Sequence, residues 1–374
     1  MVGRHLPGDR VRGGAAHATS SVGSPLRVLS WPGQDTRQKN PYTWLLCTHL
    51  TALGVQVRDF TPGRALRGGY DILHLHWPEK ALNADSLAGR VAGAAAALGV
   101  LRAAHLHGAR IVWTAHNAQP HESRHPALER WYRSAVLHLV DVVIHPSEAG
   151  RRLVTSRYPE VAGRPHAVVP LGHFRGAYPD TATRESAREA MRIPAGARVI
   201  TFLGLVRPYK NVPHLIRTVR SLPVEAGEVV LIVGGAPHSA AVADEVRAAA
   251  QDDPRVRLNL AHVPDGEVQY YLRASDLVVL PFRDITNSAS ALLALSFDRP
   301  VLVPALGAMG ELQELAGADW LRTYGGELTP AIVADALDWA SAPRSEPPRL
   351  DALEWPEIAR RTLAAYRAGL QPPG

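Results

Sequence analysis

The chain has 374 residues, of which 46% are hydrophobic and 20% charged, a balance that fits a soluble globular protein and excludes extensive disorder. That length accommodates two domains, each burying its own core. A net charge of +6 suits anionic small substrates, an anionic membrane face or nucleic acid, but the arginines are scattered and no nucleic-acid module is present, so nucleic acid is set aside. The one cysteine, Cys47, cannot form an internal disulfide and excludes a cysteine metal site. No apolar run of spanning length lacks an interrupting charge and no hydrophobic signal region follows the basic amino end, so a cytoplasmic location is expected.

Residues 1–25 are rich in Gly, Ser, Arg and His without periodicity and read as a disordered leader. Leu26 to Ser30 is a short strand that runs into a polar loop and an amphipathic helix ending near Leu53. Asp35 in that loop is a turn residue or a general base. Val55 to Asp59 is a second strand, and Tyr70 to Glu79 holds a third that ends in a polar cluster. There His74 and His76 share one face, with Trp77 and Glu79 just beyond the carboxyl end. A hydrogen-bonded core histidine is the favoured reading of His74. Asp85 to His107 is Ala-rich and helical, and it lacks the cluster of Lys and Arg that would support docking on a membrane. Arg110 to Thr114 is the next strand, and His116 follows it directly, where imidazole either caps the loop or handles a hydroxyl proton near neutral pH. His121, Glu122 and His125 show no metal-ligand spacing. Asp141 to Ser147 enters a Ser-capped helix, and His166 to Phe174 closes the first domain near residue 175.

The second domain opens on Val199 to Leu203, apolar on successive residues as in a buried parallel strand, with Gly204 turning its end. Arg207, Pro208, Tyr209, Lys210 and Asn211 follow, with Asn211 as expected N-cap and Pro213 in the first turn of a helix. Arg207 and Lys210 thus sit at the carboxyl end of a strand beside a helix start, where an open sheet receives ligands. A guanidinium fork and an ammonium there suit a diphosphate, although two solvated loop cations give the same pattern. Strands at 229–233, 256–260 and 277–280 alternate with helices, predicting a parallel sheet with helices on both faces. Asp284, Asn287, Ser288 and Ser290 then open the helix from Ala291 to Phe297, as an anion-receiving helix start or as an ordinary Ser cap.

Arg207 to Asn211 after Phe202, Leu203 and Gly204 resembles the donor-phosphate motif of bacterial GT-B glycosyltransferases, especially the large retaining family numbered four and its relatives in exopolysaccharide assembly. The resemblance covers about residues 26–370. It implies an α/β fold of two Rossmann-like parallel-sheet domains facing a cleft: an acceptor-side domain over 26–175, a nucleotide-sugar domain over 176–345, and a helix over 346–374 packing back on the first. It implies a nucleotide sugar held through Gly204, Arg207, Lys210, Asn211, Asp284, Asn287, Ser288 and Ser290, with the base near Val263. On the acceptor side it implies Asp35, His76, Trp77, Glu79 and His173 facing a glycan or lipid-linked saccharide, with His116 as a cleft histidine. A peripheral membrane contact stays open.

The sequence also departs from these relatives. Retaining members usually carry two glutamates separated by seven residues, and the corresponding positions, counted back from Arg299 and Pro300, hold Ile285 and Leu293. An inverting reaction instead needs a base, for which His116, Glu79 and Asp35 are the candidates in that order. No cofactor and no metal is expected, because the protein supplies the cations and no Asp-x-Asp motif ends a strand. The leading expectation is a glycosyltransferase. A sugar-nucleotide epimerase and a non-catalytic nucleotide-sugar or glycan-binding partner are the alternatives.

Overall fold

Short apolar runs become the parallel strands of two separate sheets. The computed structural model describes residues 25–34, 37, 41–117, 125–223 and 227–371. In the first unit β1 (Arg27–Trp31), α1 (Pro41–Ala52), β2 (Gln56–Asp59), α2 (Pro62–Arg67), β3 (Ile72–Leu75), α3 (Leu87–Leu106), β4 (Arg110–Thr114), α4 (Pro126–Leu139), β5 (Val142–His145), α5 (Glu148–Arg157) and β6 (His166–Val168) alternate along the chain. The six strands lie in the order β2-β1-β3-β4-β5-β6, with every pair parallel. All residues of β3 and β5 are buried, which explains their unbroken apolar character around His74 and His145.

The second unit holds α6 (Arg184–Ala190), β7 (Arg198–Leu203), α7 (Val212–Arg220), β8 (Val229–Gly234), α8 (Ala240–Ala250), β9 (Val256–Asn259), α9 (Val268–Ala274), β10 (Leu277–Val279), α10 (Ala289–Ser296), β11 (Val301–Pro304), α11 (Met309–Ala316), β12 (Leu321–Tyr324) and α12 (Pro330–Ser341). Its order is β12-β11-β10-β7-β8-β9, again parallel, so the strand order reverses at β7 and opens a crevice at its carboxyl end. An aspartate before β3, β5 and β10 receives the backbone N–H of Arg27, Ile111 and Val199 respectively, at 2.7 to 2.8 Å. The same device thus ties neighbouring strands together at the end away from the cleft in both sheets.

The chain closes with α13 (Trp355–Leu370), which packs on α1, β4 and β5 of the first unit. Ile358, Ala359 and Tyr366 on its inner face are fully buried. The crossing segment is fastened from both sides, since Phe174 N–H donates to Ser296 Oγ at 2.8 Å and His173 N–H to the Leu353 carbonyl at 3.1 Å. Helix α3 is long and apolar enough to cross a membrane by length and composition, but Ala94, Ala97, Leu98, Leu101 and Ala104 are buried within the first unit. Residues 1–24 of the expected leader over 1–25, together with Asp35, His121 and Glu122, lie outside the described residues.

Candidate active site

The turn after β7 is built by two glycines in close approach. Gly204 has φ of 132°, Gly235 has φ of 148°, and a Cβ at Gly235 would fall 2.0 Å from the Gly204 carbonyl oxygen. A Cβ on Gly204 would meet Ser290 Oγ at 3.1 Å and Lys210 Nζ at 3.2 Å. The ammonium of the β7 loop and the hydroxyl of the α10 start therefore both close on Gly204.

Lys210 is buried beside the faces of Phe202 and Phe282, with Nζ 5.7 and 6.0 Å from their ring centres. Burial lowers its pKa to about 8, and the neighbouring Arg207 adds repulsion. No carboxylate among the described residues offsets that charge. Asn211 departs from the expected cap: it stands at the N-cap position of α7 in the left-handed region, φ 57° and ψ 32°, with no side-chain capping bond. The tight turn of Pro208–Lys210 requires that conformation at its exit, and asparagine tolerates it.

At the second anchor Ser288 is the side-chain cap of α10, its Oγ accepting from Ala291 N–H at 3.1 Å. Ser290, two residues further, is half-buried, with its Oγ against Gly204. Asp284 is exposed, and the side chain of Val263 is buried in the core. Ile285 is buried and Leu293 packs against the same core. Neither position offers a carboxylate. A cavity of about 350 Å³ at the carboxyl ends of β10, β11 and β12 is lined by Asn211, His214, Phe282, Arg283, Tyr324 and Glu327 among others.

The first unit answers with an aromatic and imidazole wall. His76 Nδ1 lies 3.2 Å from His116 Nε2, Trp77 stacks on His116 with centroids 4.5 Å apart, and Lys80 Nζ lies over the Trp77 ring at 4.6 Å. Tyr42 meets both imidazoles edge-on. Burial pushes the His116 pKa down to about 3 and that of His76 well below the usual range, so both rings stay neutral. His76 Nε2 is buried and has no hydrogen-bond partner. His74, behind this wall, is held between Thr114 Oγ1 and the Tyr366 hydroxyl, each at 2.7 Å. Glu79 is half-buried on the turn after β3, and burial raises its pKa. His173 is turned to the amino end of α13 instead of this cluster, with Nε2 3.1 Å from Glu354 and its carbonyl accepting from Trp355 Nε1 at 2.6 Å.

The two walls touch. Asn287 Nδ2 donates to the His116 carbonyl at 3.4 Å, so the loop into α10 and the loop after β4 meet across the cleft.

Similarity to known proteins fits this geometry. Residues 197–338 match the family of glycosyl transferases group 1. Over 355 residues the chain is 33% identical to a GDP-mannose:glycolipid 4-beta-D-mannosyltransferase of Xanthomonas campestris pv. campestris, covering 94% of this chain and 95% of that one. The chain belongs to the bacterial GT-B glycosyltransferases. Solved structures agree in fold: the sucrose-phosphate synthase of Thermosynechococcus elongatus superposes with a TM-score of 0.61 at 14% identity, covering 92% of this chain and 95% of that one. Anabaena HepE in complex with UDP-glucose gives 0.59 at 17% identity, covering 91% of this chain and all of that one.

This glycosyltransferase is thus a hexosyltransferase that takes its sugar from a nucleotide donor. Two residues of the acceptor-side wall, Tyr42 and Lys80, were not among the expected site residues, although an aromatic at the end of a polar loop after a strand is placed to face the cleft.

Proposed function

We propose that this glycosyltransferase moves mannose from GDP-mannose to a glycolipid, with inversion at the anomeric carbon. The donor half rests on one observation, the approach of both Lys210 Nζ and Ser290 Oγ to Gly204 at the head of α10. The choice of donor, acceptor and β product rests on the Xanthomonas relative, and inversion follows because GDP-mannose carries its sugar α-linked. Ile285 and Leu293, where retaining relatives hold glutamates, support that reading.

In this scheme an acceptor hydroxyl attacks C1 of mannose, the bond from C1 to the β-phosphate oxygen breaks, and GDP leaves. Arg207, Lys210, Ser290 and the free N–H groups of the α10 start receive the charge that builds on the diphosphate. With two protein cations in that role no metal is assigned. The acceptor is received by His76, Trp77 and His116, where the indole covers the C–H face of a sugar. His116, held neutral, orients the hydroxyl, because a ring that resists protonation is a poor base. Glu79, made more basic by its burial, takes the proton. A lipid-linked acceptor would be met at a membrane face, for which the exposed Leu66, Leu87, Val91 and Leu106 on α2 and α3 are candidate apolar contacts.

The test is incubation of the purified protein with labelled GDP-mannose and a lipid-linked saccharide extract, with UDP-glucose and ADP-glucose in parallel. Label from GDP-mannose should enter the lipid fraction, survive EDTA and be released by β-mannosidase. Transfer from another nucleotide sugar alone, or release by α-mannosidase alone, would overturn the assignment.

A further inference from the structure

The amino end of α5, in the first unit, is completed by a side chain of the second. Glu311 in the first turn of α11 accepts Glu148 N–H at Oε2 (3.0 Å) and Ala149 N–H at Oε1 (2.7 Å), with Arg152 3.6 Å from Oε1. Ser147 Oγ takes the next amide, Gly150 N–H, at 3.0 Å. Three of the four donors that a helix start leaves open are thereby used, two of them by a carboxylate that favours the positive end of the helix.

This contact leads straight to the donor-side loop. A Cβ on Gly150 would lie 3.4 Å from Thr286 Cγ2 and 3.8 Å from Asn287 Nδ2, so the first turn of α5 rests on residues 286–287. On the other side, Ala308 N–H donates to the Thr286 carbonyl at 2.9 Å, and Gly307, at φ 54°, leaves no room for a Cβ against the Ile285 and Thr286 carbonyls. Glu311 therefore grips α5 from the same segment that braces the loop carrying Asn287, Ser288 and Ser290. Beside the grip an open pocket of about 90 Å³ lies between Leu171, Leu292, Met309 and Leu312, so apolar contact between the two units is incomplete there.

We propose that Glu311 is a positioning residue for sugar transfer: it sets the span across the cleft between the Lys210–Ser290 anchor and the His76–His116 wall. This rests on the reading that donor and acceptor sit on those two walls. A carboxylate matches two converging N–H groups, whereas an amide opposes one of them with its own NH2. E311Q keeps the shape and breaks the match.

In E311Q the GDP affinity, read by thermal shift, should stay within about twofold, because its residues lie in the second unit. The turnover number should fall about tenfold to a hundredfold, the cost of a misplacement near 1 Å. Amide exchange at Glu148 and Ala149 should quicken at least tenfold in the unliganded protein, and E311D should recover part of both effects. Wild-type turnover and exchange in E311Q would overturn the proposal. So would a loss of GDP affinity in step with turnover, which would place the defect inside the donor loop. The exchange measurement needs no substrate, so it still decides if mannose proves to be the wrong sugar.

Discussion

Asn287 Nδ2 and the carbonyl oxygen of His116, 171 residues apart in the chain, meet at 3.4 Å across the cleft. The contact sets the α10 loop against the imidazole that faces the acceptor. At that length it contributes no more than about 1 kcal/mol, so Asn287→Ala should lower turnover about fivefold while changing GDP affinity less than twofold. Steady-state kinetics with both substrates varied check this. A change confined to GDP affinity would show that Asn287 acts only on the donor.

Lys210 carries the strongest prediction about chemistry. If its ammonium stabilises the departing diphosphate, Lys210→Ala should lower turnover about a hundredfold or more. Its pKa near 8 adds a pH signature. Only the protonated amine attracts the diphosphate, so GDP affinity should be level below pH 8 and fall towards tenfold per unit above it. Calorimetry in buffers of different ionisation heat should show proton uptake on binding near pH 8.5. The unfolded chain holds this proton up to about pH 10.4, so between pH 8 and 10 the empty protein gains stability as pH rises. Lys210→Met should raise the melting temperature of the empty protein at pH 7 and abolish the rise caused by GDP.

Much of this site was legible in the sequence because it is built locally. The β-branched run of β7, Gly204 and the pair Arg207 and Lys210 lie within a dozen residues, and a strand followed by a helix start delivers them to one place whatever the rest of the chain does. Ser288 and Ser290 were equally visible, but the division of labour between them was not, since either can cap a helix and only the course of the loop from Ile285 decides which one does. What stayed hidden depends on distant contacts. Glu311 meets α5 over 162 residues, and Tyr366 meets His74 over 292. Asn211 was misread for another reason: its side chain suits both a cap and a left-handed turn, and the preceding tight turn chose the second.

The buried His74 and His76 and the half-buried His116 predict acid lability. Burial holds the pKa of His74 and His116 near 3 and that of His76 well below the usual value, whereas in the unfolded chain each titrates near 6.5. As pH falls through 6.5 the unfolded chain takes up protons that the folded protein refuses, so stability is complete above 6.5 and is lost progressively towards pH 3. The urea midpoint should therefore fall steadily between pH 6.5 and 4.5, with up to about 1.4 kcal/mol lost per pH unit for each proton. His116→Gln should lessen the slope by about one proton. A midpoint unchanged over that range would show that the wall is hydrated.

The bond between Tyr366 and His74 makes α13 part of the first unit, and its removal should be felt there. The hydroxyl and the imidazole are both fully covered, and His74 Nε2 is already engaged with Thr114. In Tyr366→Phe the His74 Nδ1 atom loses its partner and water cannot replace it, which costs about 1–3 kcal/mol. In His74→Phe the Tyr366 and Thr114 hydroxyls are stranded instead, at a similar or greater cost. The double variant strands only Thr114, so its loss should be smaller than the sum of the two singles by at least about 1 kcal/mol in a cycle of urea unfolding free energies. GDP affinity should not move, because α13 packs on the acceptor side of the molecule. Additive losses would mean that the two groups stabilise the fold independently, and that packing of Ile358 and Ala359 alone holds the helix in place.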